Sequence, residues 1–345
     1  MPFINEQLEH QQERVARADA VRRIARASCF RFDPEEVMAR LRHRIVGQDQ
    51  ALAEMEAMLF TVKADFSSRT SPLAVLFFLG PTGVGKTEIV RVLSEAIHGD
   101  ANHMCRIDMN TLAQEHYSAA ITGSPPGYVG SKEGQTLFNI DAIKGSYGAP
   151  GIVLFDEIEK ASRDVVRAIL NVLDTGKLTL TSGAKEIDFT NALIFMTSNI
   201  GAKDYSRQVE KYHSGWRHFF GLKARDESKF LEQALHGHFD PEFLNRIERI
   251  VPFNRLDASH QYHIIELEID KLNQRLARKK AHISCDASVI SYFSHSYDER
   301  FGARGMRRKI RTVLEPLIAK EMFEQPEQSE FFASVVNKEL RVSGT

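Results

Sequence analysis

The most specific chemistry in the chain lies in Gly80-Pro81-Thr82-Gly83-Val84-Gly85-Lys86-Thr87. Glycines at 80, 83 and 85 let backbone N–H groups turn inward on an anion, and a helix starting where the run ends adds its partial positive charge at the same point. In this pattern Lys86 reaches the β- and γ-phosphates of a nucleoside triphosphate and Thr87 ligates Mg²⁺. Two carboxylates, Asp156 and Glu157, follow the apolar run Gly151 to Phe155. There Asp156 holds Mg²⁺ through water, and Glu157 accepts a proton from, or orients, the water that attacks the γ-phosphate. Asn199 closes Thr197-Ser198-Asn199, where its amide reaches that water or the γ-phosphate; an Asn at a strand end is as readily a plain turn former.

These groups need strands and helices that bring them to one edge. Leu73 to Leu79 is apolar and bounded by Pro72 and Gly80, which reads as a buried strand, and the residues after the glycines carry helical spacing through about His98. Gly151 to Phe155 and Ala192 to Met196 read as two further buried strands. Both end in the polar residues named above, where open α/β sheets place their ligands. Glu88, in the first turn of the helix, joins the nucleotide-contacting set with Pro81 to Thr87. Ahead of it, Gly47 permits a tight turn after Ile45 and Val46, so that an adenine ring lies against these two side chains; an ordinary helix start has the same pattern.

Composition sets the frame. A chain of 345 residues, 43% hydrophobic and 26% charged, has material for a large core and suggests about two domains. A net charge of −1 and a pI near 6.9 give no global attraction to nucleic acid or to an anionic membrane. No apolar run approaches the ~20 residues of a spanning helix, and Met1 to Gln12 is too polar for a secretory signal, so a cytoplasmic location is expected. Cys29, Cys105 and Cys285 suit neither a disulfide framework nor a zinc site and read as buried free thiols. His236, His238 and Asp240 lack a fourth ligand.

The rest of the chain is less specific. Glu6 to Arg26 is an arginine-rich helical arm with a thin stripe of Val15, Ala18, Val21 and Ala25, equally suited to a surface helix and to docking on a partner or adaptor. Helices are expected at Pro34 to His43, up to Lys63, and at Thr111 to Ala120, with a short strand at Met104 to Asp108. Residues 123 to 134 hold too many glycines and prolines for a helix or central strand, yet Tyr128 and Val129 sit at their centre. Val166, Ile169, Leu170 and Leu173 make a core stripe, and Gly176 to Asp188 an irregular hairpin turning at Ser182-Gly183. Helices at Leu256 to Lys280, Ala287 to Ser296 and Ala303 to Lys320 precede a hairpin of Phe331 to Val336 and Glu339 to Val342. Arg304 shares one helix face with Arg307, Arg308 and Arg311, a face that points Arg304 at the nucleotide.

Taken together, the phosphate loop, Ile45-Val46-Gly47-Gln48-Asp49, Pro125-Pro126-Gly127-Tyr128-Val129-Gly130, Asp156-Glu157-Ile158-Glu159-Lys160, Thr197-Ser198-Asn199, Pro241 to Arg246 and Gly302-Ala303-Arg304 occur in one order. In that order they resemble the second, C-terminal ATPase module of the Clp-family AAA+ unfoldases, over residues 37 to 342. The resemblance implies an α/β P-loop ATPase with a parallel central sheet flanked by helices and a small, mainly helical lid ending in a β-hairpin. It divides the chain into an arm (1–34), a large ATPase domain (35–255) and a lid (256–345). It implies ATP and Mg²⁺, Asn199 as the sensor of the γ-phosphate, Arg246 as an arginine finger, and Arg304 as the second sensor. Tyr128, with Val129, becomes the pore loop that grips a protein substrate inside a homo-oligomeric, hexameric ring. Phe220-Gly221-Leu222 resembles the loop by which family members engage a peptidase, and equally suits a hydrophobic anchor. The chain departs from the family in lacking its globular N-terminal domain, first ATPase module and coiled-coil insertion. The 179–185 hairpin also lacks the family's Asp-Gly-Gln-Gly, which leaves a second pore loop open. Two other readings stand beside a threading machine: an ATP-controlled switch or scaffold that assembles with a partner, and a loader directed at nucleic acid, which the neutral charge disfavours.

Overall fold

A computed structural model describes residues 28–66, 69–113, 137–179, 186–201, 233–295 and 302–344. In chain order the body contributes β1 (Ala74–Leu79), β2 (Cys105–Asp108), β3 (Gly151–Asp156), the short antiparallel pair β4 (Lys177–Thr179) and β5 (Glu186–Asp188), then β6 (Ala192–Ser198) and β7 (Arg249–Pro252). Strands β1, β3 and β6 are buried at every position, as their unbroken apolar runs require of strands covered on both faces. They form the middle of a five-stranded parallel sheet in the order β2-β3-β6-β1-β7. Leu79, Asp156 and Ser198 therefore end on the same edge.

Successive side chains point to opposite faces of a strand, which splits the core into two. Leu76, Phe78, Leu154 and Phe195 face α1 (Pro34–Arg44), α2 (Asp49–Lys63) and α3 (Lys86–His98); Val75, Phe77, Val153, Phe155 and Met196 face the opposite side. On that second side lie α4 (Ile140–Lys144), α5 (Arg163–Thr175) and the residues around α6 (Pro241–Leu244). The buried stripe of α5 is Val165, Ile169, Val172 and Leu173, with Val166 and Leu170 only partly covered. The expected stripe is thus rotated toward Val165 and Val172. Pro34 at the first turn and the Asp33 carboxylate, which accepts from Glu35 N at 2.9 Å, start α1.

The lid begins with a turn at Asp257, whose carboxylate accepts from Ser259 N at 2.9 Å, so α7 (Gln261–Leu276) starts later than the apolar spacing suggests. After β8 (His282–Cys285) and α8 (Ala287–His295), one helical stretch runs through α9 (Gly302–Lys309), a wide π turn at Ile310–Leu314 and α10 (Glu315–Glu324). Pro316 has no N–H to give to the turn before it, which accounts for the widening. β9 (Glu330–Val336) and β10 (Glu339–Gly344) form the terminal hairpin, with Asn337 and Lys338 at φ 52° and 68° supplying the two left-handed residues of a tight turn. Strand β8, four residues with little pattern of their own, pairs parallel with β9 and makes the sheet three-stranded. The first apolar core continues from the body into Ile265, Ile269, Leu272, Phe293 and Phe331 of the lid.

Of the thiols only Cys105 is buried; Cys29 and Cys285 are partly exposed. Burial pushes the Cys105 and Cys285 thiols up to about 11. Met109–Leu112 is a single 3₁₀ turn, and the remainder of the helix expected to Ala120 lies outside the described residues. So do the arm at 6–26, Tyr128 and Val129, Ser182-Gly183 and Phe220-Gly221-Leu222. Among the described residues no helix is long and apolar enough to cross a membrane.

Candidate active site

The loop leaving β1 passes Gly80 at φ 153° and Gly85 at φ 109° before α3 opens at Lys86. A side chain at position 80 would sit 2.5 Å from the carbonyl oxygen of Phe253, so the loop folds this tightly only with glycine there. Lys86 is 7% exposed, and its Nζ donates to Gly80 O at 2.6 Å, Pro81 O at 2.7 Å and Asn199 Oδ1 at 2.8 Å. Burial dominates its protonation and brings its pKa down to about 8, against the opposing pull of Glu159, Asp156 and Glu157.

The edge of the sheet arranges the carboxylates. Asp156 Oδ1 accepts from Thr197 Oγ1 at 2.5 Å, and Oδ2 accepts from Arg106 through Nε at 3.1 Å and Nη2 at 2.6 Å. Thr87 Oγ1 stands 3.3 Å from Asp156 Oδ1 and 3.4 Å from Oδ2. Glu157 is left-handed, at φ 57°, which turns its side chain out of the strand direction; its N–H donates to Thr197 Oγ1 at 3.0 Å. Both of its carboxylate oxygens are held: Oε1 accepts from Asn199 Nδ2 at 3.3 Å and Oε2 from Asn110 Nδ2 at 2.6 Å. Asn199 in turn gives its backbone N–H to Glu159 Oε1 at 3.1 Å. A single amide therefore joins the lysine of the phosphate loop to the carboxylate that follows β3.

Lys86, Thr87, Arg106, Asp156, Glu157 and Asn199 line a cavity of about 410 Å³. Thr82 to Glu88 form one side, Ile45, Val46, Leu256, Ile264 and Leu267 an apolar side suited to a flat ring, and Arg304 enters from α9. The lid is tied to the body at the same place. Ala303 N donates to Gly83 O at 3.1 Å, and Lys271 Nζ lies 3.1 Å from Glu88 Oε1 and 2.9 Å from Glu268 Oε1. Burial pushes the Glu88 carboxyl up, but Lys271 and Arg91 outweigh it and hold the group below its usual range. Gln48, 1% exposed, gives Nε2 to Asn254 O at 2.9 Å and Val84 O at 3.3 Å and takes Asn254 N on Oε1 at 2.9 Å. Pro81 borders the site through its carbonyl contact with Lys86.

Arg246 is elsewhere. Half-exposed beyond α6, it pairs through Nε with Asp174 near the end of α5 and does not line the cavity. Sequence motifs did not single out Arg106, Asn110, Gln48 or Asp174. Each is an ordinary polar residue whose partner is remote or whose local pattern is unremarked.

Residues 71–250 match the AAA domain (Cdc48 subfamily), and residues 256–330 match the C-terminal, D2-small domain of ClpB protein. The chain is 42% identical to the ATP-dependent protease ATP-binding subunit-like protein AmiB of Pseudomonas aeruginosa, across 99% of both chains. It belongs to the Clp family of AAA+ ATPases. An ATP-dependent protease ATP-binding subunit-like protein of Rhodococcus erythropolis is 38% identical over 92% of this chain. The negative regulator of genetic competence ClpC/MecB of Bacillus subtilis is 36% identical over 82% of this chain, which spans 34% of that relative. This Clp-family chain is an ATP-hydrolysing enzyme of the chaperone and protease-subunit class, and its parallel sheet flanked by helices is the fold that its motifs imply.

Proposed function

We propose that the chain is an ATP-driven ring machine that unfolds, threads or remodels protein substrates, with the cavity between Lys86, Asp156, Glu157 and Arg304 as its ATPase site. The observation that carries this reading is a division of labour: one cavity gathers the phosphate loop, both carboxylates, Asn199 and the lid arginine, while Arg246 lies outside it. A finger that does not face its own site is suited to a neighbour's, which supports assembly into a homo-oligomeric ring, proposed as hexameric.

In this reading Ile45 and Val46 receive the adenine, and the loop N–H groups of Gly83, Val84 and Gly85 with Lys86 hold the phosphates. Lys86 changes the carbonyls of Gly80 and Pro81 for phosphate oxygens. Thr87 and Asp156, two hard-oxygen groups within 3.4 Å of one another, fit Mg²⁺, which when bound neutralises charge on the β- and γ-phosphates. Glu157 orients the attacking water and takes its proton, and Asn199 spans Lys86 and Glu157 so that it registers the γ-phosphate. Arg304 brings the lid to the nucleotide. The proposed domain division is the arm 1–34, body 35–255 and lid 256–345, acting in the cytoplasm. Tyr128 and Val129 grip the substrate, the arm receives an adaptor, and Phe220-Gly221-Leu222 offers a peptidase contact.

The test is capture. Glu157→Gln in ATP should retain protein clients that ADP releases, and Tyr128→Ala in that background should lose them while still binding ATP. Recovery of nucleic acid with no protein client would overturn the reading in favour of a loader. Normal remodelling by Tyr128→Ala would overturn threading in favour of a switch.

A further inference from the structure

We propose that Arg106 is a positioning residue that competes with the catalytic cation for Asp156, so that the site's demand for Mg²⁺ is set from β2. The inference rests on Asp156 being the Mg²⁺ residue of the ATPase site. Arg106 pairs in register with Leu154, two residues short of Asp156, and its long side chain crosses to the strand end. There both Nε and Nη2 fall on one oxygen, Oδ2, at 3.1 and 2.6 Å, while Oδ1 is taken by Thr197 at 2.5 Å. Asp156 is left with little free acceptor capacity, although a cation-bound water needs an acceptor there.

The two partners of this pair differ in freedom. The Asp156 side chain is 10% exposed and fixed by Thr197, whereas that of Arg106 is 47% exposed, and among the described residues it bonds only to Asp156. Arg106 is therefore the group that yields. It lines the same cavity as Thr87 and Asp108, so a guanidinium released from Asp156 remains beside the triphosphate and still offsets its charge. Without Mg²⁺, Arg106 screens the phosphates from a buried carboxylate; with Mg²⁺, the ion takes over that screening. Removing Arg106 exposes Mg²⁺-free nucleotide to an unneutralised carboxylate and affects the Mg²⁺ complex far less.

The experiment measures the dissociation constant of a hydrolysis-resistant fluorescent ATP analogue with Mg²⁺ and with EDTA, for the full chain and for Arg106→Gln and Arg106→Lys. In Arg106→Gln the ratio of the EDTA constant to the Mg²⁺ constant should rise by about tenfold or more, the scale of a lost charge-assisted contact. In Arg106→Lys, which keeps the charge, it should stay within about threefold of the unaltered chain. An unchanged ratio in Arg106→Gln, or equal weakening with and without Mg²⁺ as a purely structural role would produce, overturns the proposal. If the unaltered chain itself binds the analogue equally with Mg²⁺ and EDTA, it is the assignment of Asp156 that fails, and this inference falls with it.

Discussion

Asn110 donates its side-chain amide to Oε2 of Glu157 across 2.6 Å, from the turn that follows β2 to the residue that follows β3. The same amide also reaches Asp108 Oδ1 at 3.0 Å, so it is fixed from two sides. Glu157, the proposed water-activating carboxylate, is thus aimed by a group forty-seven positions away in the chain. Asn110→Ala should lower kcat for ATP hydrolysis by about tenfold while leaving ATP affinity within about twofold, because the residue orients Glu157 and does not touch phosphate in this arrangement. Steady-state hydrolysis and nucleotide titration of the same preparation check it; an equal loss in both would show a damaged fold.

The pKa of Lys86 has a direction that can be followed with pH. It is about 8 in the folded protein, against 10.5 for an ordinary lysine, chiefly through burial. Between these values the unfolded chain binds more protons than the folded one. The burial penalty is therefore fully present below about 8, and stability from this group rises as pH climbs from about 8 toward 10.5. Phosphate favours the charged ammonium, so nucleotide binding works the other way and takes up a proton above pH 8. ATP affinity should fall by up to about tenfold per pH unit there, and Lys86→Arg should flatten the profile. Calorimetry in two buffers of different ionisation enthalpy reads the proton directly; no proton uptake at about pH 9 would refute the assignment.

Arg246 pairs with Asp174 in its own chain and stands outside its own cavity. If it serves a neighbour, Arg246→Ala should bind ATP normally and hydrolyse it about 10³-fold more slowly. Mixed with Glu157→Gln, it should regain activity at the junctions that pair an intact Glu157 with an intact Arg246. Absence of rescue in rings shown to be mixed would place the finger's action elsewhere.

Gln48 fastens the phosphate loop to the body–lid junction through one buried hydrogen bond, to Val84 O, and two partly buried ones with the Asn254 main chain. Gln48→Ala takes a partner from the buried Val84 carbonyl and from the partly exposed Asn254 main chain and should cost about 1–2 kcal/mol of stability, lowering the melting temperature by a few degrees. Saturating ATP should recover part of the loss by mass action. Calorimetric melting with and without nucleotide tests both statements.

The residues that gather in the cavity were legible because their signals are contiguous. Gly80 to Thr87, Asp156-Glu157 and Thr197 to Asn199 each carry their own flanking strand, and a buried parallel strand announces itself by an unbroken apolar run. Arg106 and Asn110 gave no such signal: an arginine at an exposed edge-strand position and an asparagine after a strand are commonplace, and their partners at 156 and 157 are brought to them only by the β2–β3 register. Gln48 lies in a motif that was noticed for its neighbours Ile45 and Val46, yet its bonds reach residue 254, beyond any local pattern. Strand β8 carries no signal for a related reason, since four residues do not establish a period and its identity depends on β9, whose Glu330 pairs with His282 across 48 residues of chain.

Gly302 meets the phosphate loop main chain to main chain. It is left-handed at φ 51°, a Cβ there would lie 2.8 Å from Gly83 O, and that same oxygen accepts from Ala303 N. The lid accordingly meets the loop through its backbone as well as through the Lys271–Glu88 side-chain pair. The main-chain contact does not depend on which side chains surround it, but position 302 has no such latitude. A single added methyl would act as a shim between the two, holding the lid away from a loop whose own residues are unchanged.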